Sequence, residues 1–155
     1  NELGAKLSQL LSSERDSQKA RETAELQLAR SQFDALVAGK TDVRGVPFLA
    51  ATVKVGDVRL LRQMSDWYYQ HNPSGVLIIG AEINSHARVI VRVSTDLLER
   101  GLHAGNLVAA ISKAVGGRGG GKPTLAQGGG TQAARLDTAL AEARDMVATT
   151  LAENK

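Results

Sequence analysis

Fifteen residues from Gly116 to Gly130, GGRGGGKPTLAQGGG, hold eight of the chain's 16 glycines together with Arg118 and Lys122. Glycine forfeits backbone entropy on folding and contributes no buried side chain, so a packed core has little use for such a run. Two things offset that cost: backbone with positive φ, or close approach of the main chain to a ligand. Runs of unobstructed N–H groups form anion-binding concavities, and cationic side chains among them strengthen the site. A flexible linker is the alternative reading. Linkers, however, set Ser and Glu beside Gly and lack an insert such as Pro123-Thr124-Leu125-Ala126-Gln127. The run is therefore read as a glycine-rich loop that holds an anion.

Charge points the same way. The chain carries a formal net charge of +3, yet Arg100 to Leu136 contains five basic residues (Arg100, Lys113, Arg118, Lys122, Arg135) and no Asp or Glu. The remainder of the chain is thus slightly acidic. A basic segment on a nearly neutral body favours a polyanionic partner, with a solvated basic face as the alternative. His103 lies beside this segment and could meet phosphate, although a lone histidine at a helix end more often serves as a solvated cap.

Several chemistries are excluded. Gly116 to Lys122 matches the start of a P-loop, but Pro123 stands where Ser or Thr should hold magnesium, and the run follows a helix where a P-loop follows a strand. There is no cysteine, and the three histidines lie well apart, so no metal and no cofactor is expected. No His-Glu-x-x-His or Gly-x-Ser-x-Gly occurs, and the Glu82/His86 pair falls between two strands as a surface hairpin. The chain is not expected to be an enzyme on its own. It has neither a signal peptide nor a membrane span of roughly 20 apolar residues, which fits a cytoplasmic protein. A polar start at Asn1 suggests a piece cut from a longer chain.

The elements that must position these residues read as follows. Glu2 to Ala38 is one helix rich in Ala, Leu, Gln, Arg and Glu, with no Gly or Pro between Gly4 and Gly39. Leucines at 3, 7 and 10 and apolar positions near Ala24, Leu28 and Phe33 bracket a polar middle. At 1.5 Å per residue such a helix reaches roughly 55 Å, longer than a small domain is wide. It must therefore pack on another helix, another chain or a neighbouring domain. After the turn cluster Gly39–Asp42, Val43–Val55 reads as a strand interrupted near its start by Pro47. Asp57 caps a helix through His71, with Leu60, Leu61, Met64 and Tyr68 on one face. Tyr68 belongs to the core, and Trp67 and Tyr69 are partly exposed candidates for stacking. Val76–Ala81 and Arg88–Val93 are neighbouring strands. Ser94-Thr95-Asp96 caps a short helical turn, and a helix runs from Gly105 or Asn106 to Val115. The last helix carries Leu136, Leu140, Val147 and Leu151 inward. The sum is an α/β (α+β) fold: a helical arm over residues 1–39, then a globular domain over 40–155 in which helices cover a small mixed sheet.

The glycine run also carries a resemblance. Gly116–Pro123 followed by Ala126–Thr131 resembles the C-terminal signature of bacterial alanyl-tRNA synthetases, in the DHHA1 domain that these enzymes share with DHH-family phosphoesterases. Ala104–Val108 and Ile111-Ser112-Lys113 support it, and the likeness extends over about Val43–Leu151 with a helical arm before it. The resemblance implies a non-catalytic domain that grips the outer corner of tRNA-Ala, linking the aminoacylation and editing modules. Its partners would be tRNA, the remaining domains of the parent synthetase, and a second copy through the N-terminal helix. Carried over by position, the nucleic-acid-binding residues are Lys113, Arg118, Gly119, Gly120, Gly121, Lys122 and Gln127, while Gly128–Gly130 could serve packing. Two alternatives stand beside this: a dimerisation element, or the phosphate-binding half of a phosphoesterase. The latter family more usually carries His where Lys122 stands.

Overall fold

The computed structural model of the protein describes residues 2–38 and 40–153. Its elements are α1 (Glu2–Val37), β1 (Thr41–Val43), β2 (Val46–Thr52), α2 (Val58–His71), β3 (Val76–Ile83), β4 (His86–Val93), α3 (Thr95–Leu98), α4 (Ala104–Ala114), β5 (Gly117–Gly121), β6 (Leu125–Gly130) and α5 (Leu136–Glu153). The strands form one sheet in the order β1-β2-β3-β4-β6-β5, with β2 and β3 parallel and every other neighbouring pair antiparallel. This is the expected α/β architecture, with a long helix ahead of a helix-covered mixed sheet.

Two apolar layers hold the sheet. On one face α4 and α5 bury Val108, Ile111, Leu140 and Val147 against Phe48, Ile78, Val89 and Val91. On the other, α2 and the last turns of α1 bury Leu61, Met64, Tyr68 and Phe33 against Leu77, Ile79 and Ile90. β3 is therefore covered on both sides and reads as the near-continuous apolar run VLIIGA. In α2, Leu61, Met64, Ser65 and Tyr68 recur at helical spacing on the buried face. Asp57 caps the helix by accepting from the Arg59 main-chain N–H at 2.9 Å, and that bond holds its carboxyl below the usual carboxylate range. Tyr68 is in the core as expected. Its hydroxyl has no hydrogen-bond partner, and burial pushes its pKa up to about 12. His103 is the N-cap of α4 and accepts from the Asn106 N–H. Glu82 and His86 flank a hairpin that turns at Asn84 and Ser85, both at positive φ.

The structure corrects two sequence readings. Val43–Val55 is not one strand: the chain doubles back at Arg44 and Gly45, both with positive φ, and β1 pairs with β2. The Asp42 carboxylate fixes this turn by accepting from the Gly45 N–H at 2.7 Å. Pro47 is tolerated because it lies near the start of β2 against the short edge strand β1. Of the turn expected over Gly39–Asp42, Gly39 lies outside the described residues, and Thr41 and Asp42 are instead the first residues of β1, paired with Phe48 and Pro47.

The second correction concerns the glycine run, which is neither a loop nor a linker. It is the β5–β6 hairpin, built into the sheet beside β4. Its glycines serve a close approach. Gly119 pairs with Gly128 across the hairpin, and the buried Ser112 of α4 sits directly on that pair. A Cβ on Gly119 would lie 2.5 Å from Ser112 Oγ and 2.8 Å from the Gly128 Cα. On the opposite face of the same strand, a Cβ on Gly120 meets nothing within 4 Å. Gly119→Ala is expected to cost about 1–3 kcal/mol through overpacking. Gly120→Ala should be neutral or stabilising by about 0.4–1 kcal/mol through the unfolded chain. Urea denaturation of the two variants reads the contrast.

Candidate nucleic-acid interface

Alternation along β4 divides its side chains. Ala87, Val89, Val91 and Val93 face α4 and α5, whereas Arg88, Ile90 and Arg92 face the α2 side. The register carries this outward to the sheet edge. Arg88 pairs with Gly129, which pairs with Arg118. Ile90 pairs with Gln127, which pairs with Gly120. Arg92 pairs with Leu125, whose carbonyl accepts from the Lys122 N–H at 2.9 Å. Helix α2 covers the middle of this face and stops short of β5 and β6. A cleft remains between its flank and the hairpin, lined by Arg62, Arg92, Lys122, Leu125 and Gln127 at one end and by Arg88, Arg118 and Gln127 at the other.

Five cations thus face a cleft whose lining contains one carboxylate, Asp66, among the described residues. They are held differently. Arg92 donates to Ser65 Oγ at 3.0 Å and to Asp66 Oδ1 at 2.9 Å, and its guanidinium lies 4.8 Å from the centroid of the Tyr69 ring. Arg62 donates through Nε and a terminal nitrogen to the Gln127 side-chain oxygen at 3.1 and 2.9 Å. A neutral amide fixes the position of Arg62 without cancelling its charge. Arg88, Arg118 and Lys122 are exposed and enter no ion pair among the described residues. Such an arrangement can bind several phosphates at once through charge-assisted hydrogen bonds.

Of the residues singled out in the sequence, Arg118, Gly120, Lys122 and Gln127 come together here. Gly121 contributes main chain to the cleft, and Gly119 turns to α4. Lys113 is exposed on α4, in the layer on the other side of the sheet. Sequence reasoning missed Arg62, Arg88 and Arg92 because they lie outside the acid-free segment that drew attention to charge. A usable signal existed: Arg88 and Arg92 alternate with Val89 and Val91, which puts both on one face of a strand.

Residues 45–149 match the DHHA1 domain. The chain belongs to the DHHA1 domain family. The DHHA1 domain here is 38% identical over 140 residues to the alanine–tRNA ligase of Roseiflexus castenholzii, an alignment covering 90% of this chain and 16% of that protein. It is 37% identical over 137 residues to the Bacillus subtilis alanine–tRNA ligase, covering 88% of this chain and 16% of that one. The chain therefore spans about one sixth of the length of these relatives. The crystal structure of the C-Ala domain from Aquifex aeolicus alanyl-tRNA synthetase shares the fold, with a TM-score of 0.63 and 20% identity over 70% of this chain and 97% of that one. No helix among the described residues is long and apolar enough to cross a membrane.

The unequal anchoring of the cations has a measurable consequence. Arg92→Ala removes two hydrogen bonds and a ring contact and should cost about 1–3 kcal/mol of stability. Arg118→Ala and Lys122→Ala should stay within about 0.5 kcal/mol of the parent. Thermal denaturation of the three variants checks this and identifies which cations can be removed without disturbing the fold.

Proposed function

We propose that this DHHA1 domain is the non-catalytic RNA-binding module of an alanine–tRNA ligase, and that it holds tRNA-Ala at the outer corner through the basic cleft between α2 and the β5–β6 hairpin. The observation that carries this reading is the gathering of Arg62, Arg88, Arg92, Arg118 and Lys122 on one half-covered sheet face with a single carboxylate among them. Folded RNA is recognised largely through phosphate and 2′-hydroxyl contacts, and such a face supplies the donors. The similarity to alanine–tRNA ligases over 90% of the chain supports tRNA among polyanions. The cleft residues bind and orient; no group among them is placed to act as a nucleophile or a general base.

The test is a titration of tRNA-Ala transcript at two salt concentrations. Each phosphate contact contributes roughly 0.7–0.9 to the slope of log K against log salt, so Arg118→Ala/Lys122→Ala should lose up to about two units of slope. Lys113→Ala, across the sheet, should leave the slope unchanged. Equal slopes for parent and double variant would remove the cleft from the RNA contact.

A second role is compatible with the first. Leu7, Leu10 and Leu11 of α1 are 59%, 65% and 50% exposed, an apolar strip that the other described residues leave uncovered. We infer that this strip packs on a second copy or on a neighbouring domain of the parent protein. Sedimentation equilibrium at two concentrations should show a dimer that Leu7→Ser/Leu10→Ser dissociates; a monomer at both concentrations leaves the neighbouring domain as the partner.

A further inference from the structure

The open half of the sheet is hollowed rather than flat. Two cavities of about 360 Å³ and 280 Å³ lie along it, and Gln127 lines both, so the Arg62–Gln127 bridge stands between them. The register sets a pair of cations at each. Arg92 and Lys122 flank Leu125, while Arg88 and Arg118 flank Gly129. Members of a pair stand two strand spacings apart, about 10 Å, and the pairs are four residues apart along the strands, about 13 Å. Arg62 reaches in from α2 near the centre.

The floor of the larger cavity is apolar. Gly120 and Leu125 form it over the buried Ile90, and Leu125 remains 40% exposed although it sits on a sheet beside a helix. A phosphate alone gains nothing from an apolar floor. A double helix presents its phosphates and sugar edges outward and keeps its base faces stacked inside. An unpaired nucleotide carries both parts, an anionic backbone and a flat apolar face of nucleotide size. The polar rim suits it too: Gln127 spends its oxygen on Arg62, which leaves its side-chain amide hydrogens as donors toward a base edge.

We propose that this cleft seats an unpaired nucleotide of an RNA loop, its base on Leu125 in the larger cavity, one flanking phosphate on the Arg92–Lys122 pair, the other near Arg62, and the phosphate one nucleotide further along on the Arg88–Arg118 pair. The inference rests on the RNA-binding reading and narrows it from a basic face to a pocket for a base outside the stack.

The test compares a four-nucleotide single-stranded RNA with a blunt RNA duplex at one salt concentration, using amide chemical shifts of the full chain and fluorescence titration. Because Leu125 is substantially exposed, Leu125→Ser retains the fold and all five cations. The single strand should shift the amides of Gly120, Leu125 and Gln127, and Leu125→Ser should weaken it by about tenfold or more. Duplex binding should be indifferent to that change. If single strand and duplex bind alike and Leu125→Ser alters neither, the nucleotide pocket is wrong. Should tRNA binding still respond to Arg118→Ala/Lys122→Ala in that case, the basic face stands and only the pocket falls; if it does not respond, both fall together.

Discussion

Helix α4 lies against two strands that offer it almost no side chains. The position that Ser112 covers is a Gly119–Gly128 pair, and Ala126, two pairs along toward the hairpin turn, carries the smallest side chain that can still join the core. Much of the rest follows from this contact. With glycine under the helix, β5 and β6 approach closely enough to continue the sheet beyond β4. Continuing the sheet then fixes the alternation of every residue in the hairpin. Arg118, Lys122, Leu125 and Gln127 project to the opposite face because the intervening positions belong to α4. A bulkier residue at either central glycine would push at main chain as well as at Ser112. The chain thus accepts the entropic cost of its glycines in order to aim a small set of side chains.

Coverage by α2 determines what those side chains can do. The helix buries Leu61, Met64 and Tyr68 over β3 and β4, which removes Ile90 from water, and it ends its reach there. Its flank is polar, and Ser65, Asp66 and Tyr69 on that flank hold Arg92 in place. Arg62 is held by an amide instead. Pairing it with a carboxylate would give a stronger bond but cancel its charge; the amide preserves both the position and the charge. The remaining cations stay in water, where their desolvation costs little and their long-range field is screened only by salt. A potential built this way suits the proposed polyanion, and of the five cations it is Arg92, 17% exposed and paired with Asp66, that is largely buried.

How much of this was legible in the sequence differs from element to element. The arm, α2, the β3–β4 pair and α5 announce themselves, through an uninterrupted run of helix formers, the periodicity of α2 behind its Asp57 cap, two neighbouring apolar runs and the inward leucines of α5. The fold class follows from those alone. The β1–β2 hairpin was hidden by a two-residue turn at Arg44-Gly45 inside an otherwise apolar run, with the Asp42 side chain as its only local mark. The glycine hairpin was hidden for a deeper reason. Strand recognition relies on side chains that alternate, and here one face of the alternation is glycine, so the pattern looks like absence of structure. For the site, Arg118, Lys122 and Gln127 were visible, whereas Arg62, Arg88 and Arg92 come from elements distant in sequence and are joined to the hairpin only by strand register and by the angle at which α2 crosses.

That same helix joins the cleft to the arm. Phe33 of α1 packs on α2 with ring centroids 6.0 Å from Trp67 and 6.2 Å from Tyr68, the latter edge-on, and Arg30 lies 4.8 Å over the Trp67 ring. Gln32 exchanges hydrogen bonds with the main chain of Lys54. These contacts fall on the side of α2 away from the hairpin, while Arg62 and the residues that hold Arg92 fall on the near side. Residues 3–28 of α1 are exposed, yet the helix they belong to is anchored by its last turns. Because sharp kinks in an α-helix need a proline or an inserted group, and α1 contains no proline, the exposed leucine strip continues the direction set where the last turns of α1 pack on α2. A partner of the kind proposed for that strip would be placed relative to the cleft by this contact, so that three aromatic rings would set its direction.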